Sequence, residues 1–198
     1  MKKYYLIGEK LSHSYSVDIH SLFGLNYELK ELSAEEVGDF LQKKDFDGLN
    51  VTIPYKKTVI PYLDEVDEIA KNIGAVNTIV NENGKLKGYN TDYFGLKYAL
   101  SSAGIEIKDK RVAVLGSGGA SLTAQKLAED TSAAEISVVS RNGELNYANV
   151  YERIDPQVII NATPVGMFPN ENGKPIELNK FKNLGGVFDC VYNPYRTR

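Results

Sequence analysis

Residues 111–130, RVAVLGSGGASLTAQKLAED, constrain the fold of this 198-residue chain more than any other stretch. An apolar strand-like run ends in glycines and passes directly into residues with helical apolar spacing. Gly116, Gly118 and Ser121 occupy a G-x-G-x-x-small pattern. The first glycine permits a tight turn, the second lets a pyrophosphate approach the backbone, and the small third residue lets helix and strand pack closely. The phosphates would sit on the helix N-terminus, where unpaired amides and the helix dipole favour negative charge. Ser117, Gly119 and Ala120 complete this candidate cofactor-binding turn. Its plainer reading is a structural glycine turn. EISVVSR, QVIINATP and GGVFDCVYNP follow as short, nearly continuous apolar strands. Strands of that kind fit a parallel sheet covered on both faces.

The second of these strands discriminates between dinucleotides. An NAD-binding unit usually ends it in a carboxylate for the ribose 2′-hydroxyl, whereas an arginine there suits the 2′-phosphate of NADP. Here the strand ends in Ser140, Arg141 and Asn142, which favours NADP. A solvated surface arginine is the alternative for Arg141.

The first half has a different rhythm. KYYLIG reads as a strand, HSYSVDIHSLFG as a turn and helix, NYELKEL as a strand, and GLNVTI as a strand stopped by Pro54. Ser33 and Glu36 have capping-box spacing ahead of the helical EEVGDFLQK. IPYLDEVDEIAKNIG predicts one helix opened by Pro61 and closed by Gly74. Asn-Gly within NENG predicts a hairpin, and TDYFGLKYALSSAG a helix capped by Thr91 or Asp92. The charged, unperiodic IEIKDK marks the expected boundary between residues 1–104 and 105–198. With 42% hydrophobic and 25% charged residues, two compact α/β units are expected.

Composition excludes several function classes. Net charge is −3 and no Lys/Arg block exceeds two residues, which argues against nucleic acid as a partner. No run approaches the length needed to span a bilayer, and the N-terminal apolar run is broken too soon for a signal sequence. The single cysteine, Cys190, has no neighbours at metal-ligand spacing, so no metal is expected and a reducing cytoplasm is.

Lys56, Asn77 and Asp92 lie at the edges of apolar segments, where an α/β sheet opens its cleft. A lysine and a carboxylate within reach form an acid–base pair, the lysine moving the proton and the carboxylate orienting it. Asparagine and threonine suit neutral hydroxyls. Each has a plainer reading: Asp92 as a helix cap, Lys56 or Lys57 as a solvated charge, Asn77 as a hairpin residue. His13 and His20 read as packed or surface residues, since neither adjoins an obvious nucleophile.

GEKLSHSYSVDIH, LNVTIPYK, IGAVNTI, GYNTD, VLGSGGA, INATPVGM and DCVYNPYRT, taken together and in this order, resemble the shikimate dehydrogenase family over essentially the whole chain. The resemblance implies an N-terminal α/β substrate domain with a mixed sheet, a Rossmann-like NADP domain, and an active site in the cleft between them. It implies reversible reduction of 3-dehydroshikimate to shikimate, with Lys56 and Asp92 as the catalytic pair. Ser14 and Ser16 would bind the substrate carboxylate, Asn50, Thr52 and Asn77 would face the ring hydroxyls, and Tyr192 would face the substrate. The glycine turn would hold the pyrophosphate and Arg141 the 2′-phosphate, with Thr163 and Met167 along the cofactor towards the nicotinamide. A homodimer is left open as an assembly. Departures are Lys10 and Val17 where prolines are usual, SRN in place of NRT, and a short connection between Arg141 and Pro156 that suggests a trimmed helix. The match ends at NPYRTR, so the usual C-terminal helices and their substrate-binding glutamine are expected to be lacking. An NAD-dependent quinate/shikimate dehydrogenase and a non-catalytic shikimate-binding module are the other readings.

Overall fold

A computed structural model describes residues 2–11 and 14–197, so Ser12 and His13, the latter being the first residue of the HSYS motif, lie outside the described residues. The chain forms two compact units, residues 1–91 and 92–198. The division falls one helix before the boundary read from the sequence.

The first unit holds a six-stranded mixed sheet. Strands β1 (Tyr4–Gly8), β2 (Tyr27–Glu31), β3 (Gly48–Val51), β4 (Glu65–Val66), β5 (Thr78–Glu82) and β6 (Lys85–Tyr89) lie in the order β2-β1-β3-β5-β6-β4. The β1 strand pairs in parallel with both β2 and β3, while β5 runs antiparallel to β3 and β6. Successive residues of β1 serve opposite faces, as the pleat requires. Ile7 enters a core with Val37, Leu41, Leu49, Val59, Ile79 and Leu86, while Leu6 packs with Leu11 and Tyr27. Helix α1 (Ser16–Ser21) buries none of its residues fully, whereas α2 (Glu36–Lys43) buries Val37 and Leu41 one turn apart. Half of the expected capping box forms at α2: the Glu36 carboxylate accepts from the Ser33 amide at 2.8 Å.

The Asn83-Gly84 turn joins β5 to β6 with both residues at positive φ, 56° and 87°. That is the two-residue hairpin geometry Asn-Gly favours. The single helix expected from Pro61 is not formed. A 3-10 turn at Ile60–Tyr62, the two-residue β4, and helix α3 (Glu68–Ile73) take its place. The sheet edge competes successfully for this backbone: Asp64 and Asp67 amides donate to the Leu86 and Gly88 carbonyls at 2.9 and 2.8 Å. Helix α3 then starts on an Asp67 side chain that accepts from the Ile69 amide at 3.1 Å, and it ends on Gly74 at φ 70°. Asp67→Ala should cost about 1 kcal/mol of stability, read as a shift of the denaturation midpoint with unchanged slope.

The second unit opens with α4 (Asp92–Ser102) and contains a four-stranded parallel sheet. Its strands β7 (Arg111–Leu115), β8 (Glu135–Val139), β9 (Val158–Asn161) and β10 (Gly186–Asp189) lie in the order β10-β9-β7-β8. All four β9 residues are buried, which fits a strand covered on both faces. Helix α5 (Gly119–Asp130) packs on β7 and β8, and α4 packs on α5. The Tyr93 hydroxyl donates to Asp130 at 2.8 Å; burial first, then this bond, pushes its pKa up to about 12. Between β8 and β9 the chain makes only the four-residue α6 (Val150–Arg153).

Candidate active site

Both sheets reverse their strand order beside the first strand of the unit: β2 and β3 flank β1, and β8 and β9 flank β7. Ligands of open α/β sheets bind beyond the strand carboxyl ends at such points. In the first unit, β1 ends at Gly8 and β3 at Val51, followed by Thr52. A Cβ on Gly8 would lie 2.7 Å from both Leu11 Cδ2 and Thr52 Cγ2, so glycine is what lets these two connections meet.

Around this point the hydroxyl and amide residues join into one network. Asn50 lies in register with Thr78 across the β3–β5 pair. Its Oδ1 accepts from the Tyr27 hydroxyl at 2.7 Å, and its Nδ2 donates to Thr78 Oγ1 at 3.2 Å. Thr78 Oγ1 donates to Asn77 Oδ1 at 3.0 Å, and Asn77 Nδ2 donates to Thr91 Oγ1 at 3.0 Å. Asn77 is only 7% exposed, and its Oδ1 also accepts from the Thr91 amide at 2.8 Å. Lys56 is half-buried, and its carbonyl accepts from the Val76 amide at 2.7 Å, one residue before Asn77.

Ser14 and Ser16 are both half-buried; Ser14 Oγ accepts from the Ser16 amide at 3.1 Å. Ser16 begins α1, and its carbonyl holds His20 Nδ1 at 2.7 Å. The His20 ring stacks on Tyr27 with centroids 3.8 Å apart. Burial pushes the Tyr27 hydroxyl pKa up, and a hydrogen bond with Ser16 opposes the shift. Tyr27, which nothing in the sequence singles out, belongs to this network, and so do Thr78 and Thr91, the second of which the sequence also offers as a helix cap. The threonines had a signal in the two Asn-Thr pairs. Tyr27 had none, since its place is set by the β1–β2 pairing.

Asp92 is half-buried and begins α4, directly after Thr91. Lys56 lies in the first compact unit, and Asp92 opens the second.

In the second unit the glycine turn has the geometry its residue types require. Gly116 sits at φ 108°, and a Cβ there would lie 3.0 Å from the Ala162 carbonyl and 3.1 Å from Thr163 Cγ2. Its amide donates to the Val139 carbonyl at 2.8 Å, which sets the ends of β7 and β8 side by side. Gly116→Ala should cost about 1–2 kcal/mol from backbone conformation alone, measured by chemical denaturation. At Gly118 the surroundings are open: a Cβ would meet nothing within 4 Å. Ser117 and Gly118 are exposed, and α5 starts at Gly119 with Ala120 in its first turn. First-turn amides have no partner within their own helix. An open backbone beside such amides fits the pyrophosphate of a dinucleotide.

Just past β8, Ser140 is half-buried, with its amide donating to the Leu145 carbonyl at 3.2 Å, while Arg141 and Asn142 are exposed. Burial raises the Tyr147 hydroxyl pKa, with the Arg141 charge acting the other way. A cation where a carboxylate would exclude phosphate fits NADP. Beyond β9, Thr163 bonds back to Asn161, and Met167 is 39% exposed. Tyr192, beyond β10, is 63% exposed. Among the described residues no His, Cys, Asp and Glu cluster could hold a metal ion, and no helix is long and apolar enough to cross a membrane.

Shikimate dehydrogenases are among the known proteins this chain is similar to. Residues 6–79 match the shikimate dehydrogenase substrate binding domain. The NADP(+) shikimate dehydrogenase of Clostridium beijerinckii is 39% identical across the whole chain, which spans 81% of that relative. A chorismate mutase/shikimate 5-dehydrogenase fusion protein from Clostridium acetobutylicum superposes with a TM-score of 0.90 at 38% identity, over all of this chain and 79% of that one. The Thermus thermophilus shikimate 5-dehydrogenase, solved with NADP(H) and shikimate, gives 0.85 at 29% identity over 98% of this chain and 80% of that one. With a hydroxyl-rich switch point in one unit, a glycine turn in the other, and likeness running from end to end, the chain belongs to the shikimate dehydrogenase family.

Proposed function

We propose that this protein is an NADP-dependent shikimate dehydrogenase, which reversibly reduces 3-dehydroshikimate to shikimate in aromatic amino-acid biosynthesis. The observation that carries the reading is the identity to the Clostridium beijerinckii enzyme over the whole chain, because it takes in the hydroxyl network and the glycine turn together. Ser14 and Ser16 hydroxyls donate to the substrate carboxylate. Asn50, Thr52 and Asn77 face the ring hydroxyls, joined by Tyr192. The network suits the neutral ring hydroxyls of that ligand: its amides and hydroxyls can each donate or accept.

Gly116 to Ala120 hold the pyrophosphate, Arg141 and its neighbours Ser140 and Asn142 the 2′-phosphate, and Thr163 and Met167 the nicotinamide end. When bound, the nicotinamide supplies or takes up the hydride. Lys56 protonates the substrate oxygen as the carbonyl becomes an alkoxide, and removes that proton in the reverse direction. Asp92 orients the ammonium and supports its charge. The lone cysteine accords with a cytoplasmic location.

The test is an absorbance assay of nicotinamide reduction with shikimate and either nucleotide. Shikimate-dependent reduction with NADP favoured over NAD is expected. Absence of shikimate-dependent reduction of both nucleotides would overturn the reading.

A further inference from the structure

Strands β9 and β10 end together, with Asn161 and Asp189 in register, and past that pair the Cys190 amide still donates to the Asn161 carbonyl and the Ala162 amide to the Leu115 carbonyl, both at 2.9 Å. Side chains add to these bonds. Asn161, 3% exposed, donates through Nδ2 to Asp189 Oδ1 at 2.9 Å. Its Oδ1 accepts from the Thr163 amide at 3.1 Å and the Thr163 hydroxyl at 2.7 Å. Asp189 Oδ1 also accepts from the Val191 amide at 2.9 Å, and its Oδ2 from the Thr197 hydroxyl at 2.7 Å. Only a carboxylate offers acceptor sites for three donors arriving from three directions. Farther out, the Phe168 amide donates to the Asn193 carbonyl at 2.9 Å, and a Cβ on Gly166 would lie 3.5 Å from Thr197 Cγ2. Segments 162–168 and 190–197 are thus tied at their roots by the buried Asn161 amide and the half-buried Asp189 carboxylate, and again near their tips.

We infer that Asn161 and Asp189 are positioning residues that make these two segments order as one body, so that nucleotide and substrate each tighten the binding of the other. The inference rests on the reading above, with Met167 in one segment at the nicotinamide and Tyr192 in the other at the substrate. A ligand that orders one tied segment has already met part of the entropic cost of ordering the other. The coupling must be equal in both directions, because the two binding steps close one thermodynamic cycle. An Asn161 amide left without its partner would be a buried unsatisfied group, so the tie is not readily exchanged for solvent.

NADPH and shikimate cannot react with each other, both being the reduced member of their couple, so their mutual effect is measurable at equilibrium. NADPH fluorescence is titrated without and with saturating shikimate. In the wild type, shikimate should tighten NADPH about fivefold or more. Asp189→Ala should bring that ratio to within about twofold of one. Asp189→Asn keeps an acceptor for Asn161 and Val191 and an amide the Thr197 oxygen can accept from, and should restore most of the ratio. Circular dichroism checks folding; if Asp189→Ala does not fold, Thr197→Val, which removes one donor, replaces it and should lower the ratio. A wild-type ratio near one with both ligands bound, or a folded Asp189→Ala (or its Thr197→Val replacement) with the wild-type ratio, overturns the coupling and leaves the functional reading standing. Failure of the wild type to bind both ligands overturns that reading, and the coupling with it.

Discussion

Replacing Lys56 with alanine should lower turnover by roughly two to four orders of magnitude, the span a positioned acid or base contributes, while substrate affinity changes comparatively little. The split follows from what the ammonium does. Charge on the substrate oxygen develops only on the way to the alkoxide, so the interaction is stronger in the transition state than in the bound ketone. Loss of such an interaction lowers kcat and kcat/KM together. Asp92→Asn should act in the same sense, since the amide holds the lysine without a countercharge. Lys57, the exposed neighbour, provides the control: Lys57→Ala should turn over like the wild type. The structure gives Lys56 a fixed backbone as well, its carbonyl joined to the Val76 amide beside the Asn77 network. Near-normal kcat in Lys56→Ala would remove it as the proton donor.

Features set by a few consecutive residues were legible in the sequence. Gly116 at φ 108° and the Asn83-Gly84 hairpin are local conformations, and their residue types announce them. The expected helix from Pro61 shows the opposite case. Its apolar spacing was adequate, but Asp64 and Asp67 donate to β6 backbone more than twenty residues away, and no local pattern reports that competition. Tyr27 was hidden for the same reason, because parallel pairing of β1 with β2 and β3 brings its hydroxyl to Asn50. The Asn161–Asp189 bond depends on register between strands separated by a 3-10 turn and a long connection, and neither residue stood out as chemistry from its sequence context.

Arg141 should carry the choice between nucleotides. It stands just past β8, beside the turn that begins at Gly116, because Gly116 donates to the last carbonyl of that strand. A charge-assisted bond to the 2′-phosphate is worth about 1.5–3 kcal/mol, and NAD has no phosphate to receive it. Arg141→Ala should therefore shift preference from NADP towards NAD by roughly one to two powers of ten. Arg141→Asp should go further, since a carboxylate repels the phosphate and accepts from the ribose hydroxyl that NAD presents instead. The side chain is exposed, so salt screening should reduce the difference; NADP and NAD titrated at low and moderate ionic strength should converge for the wild type and barely move for Arg141→Ala. The SRN sequence has no second basic residue soon after it to share the load. Discrimination that survives Arg141→Asp would mean that the 2′-phosphate is held by other groups.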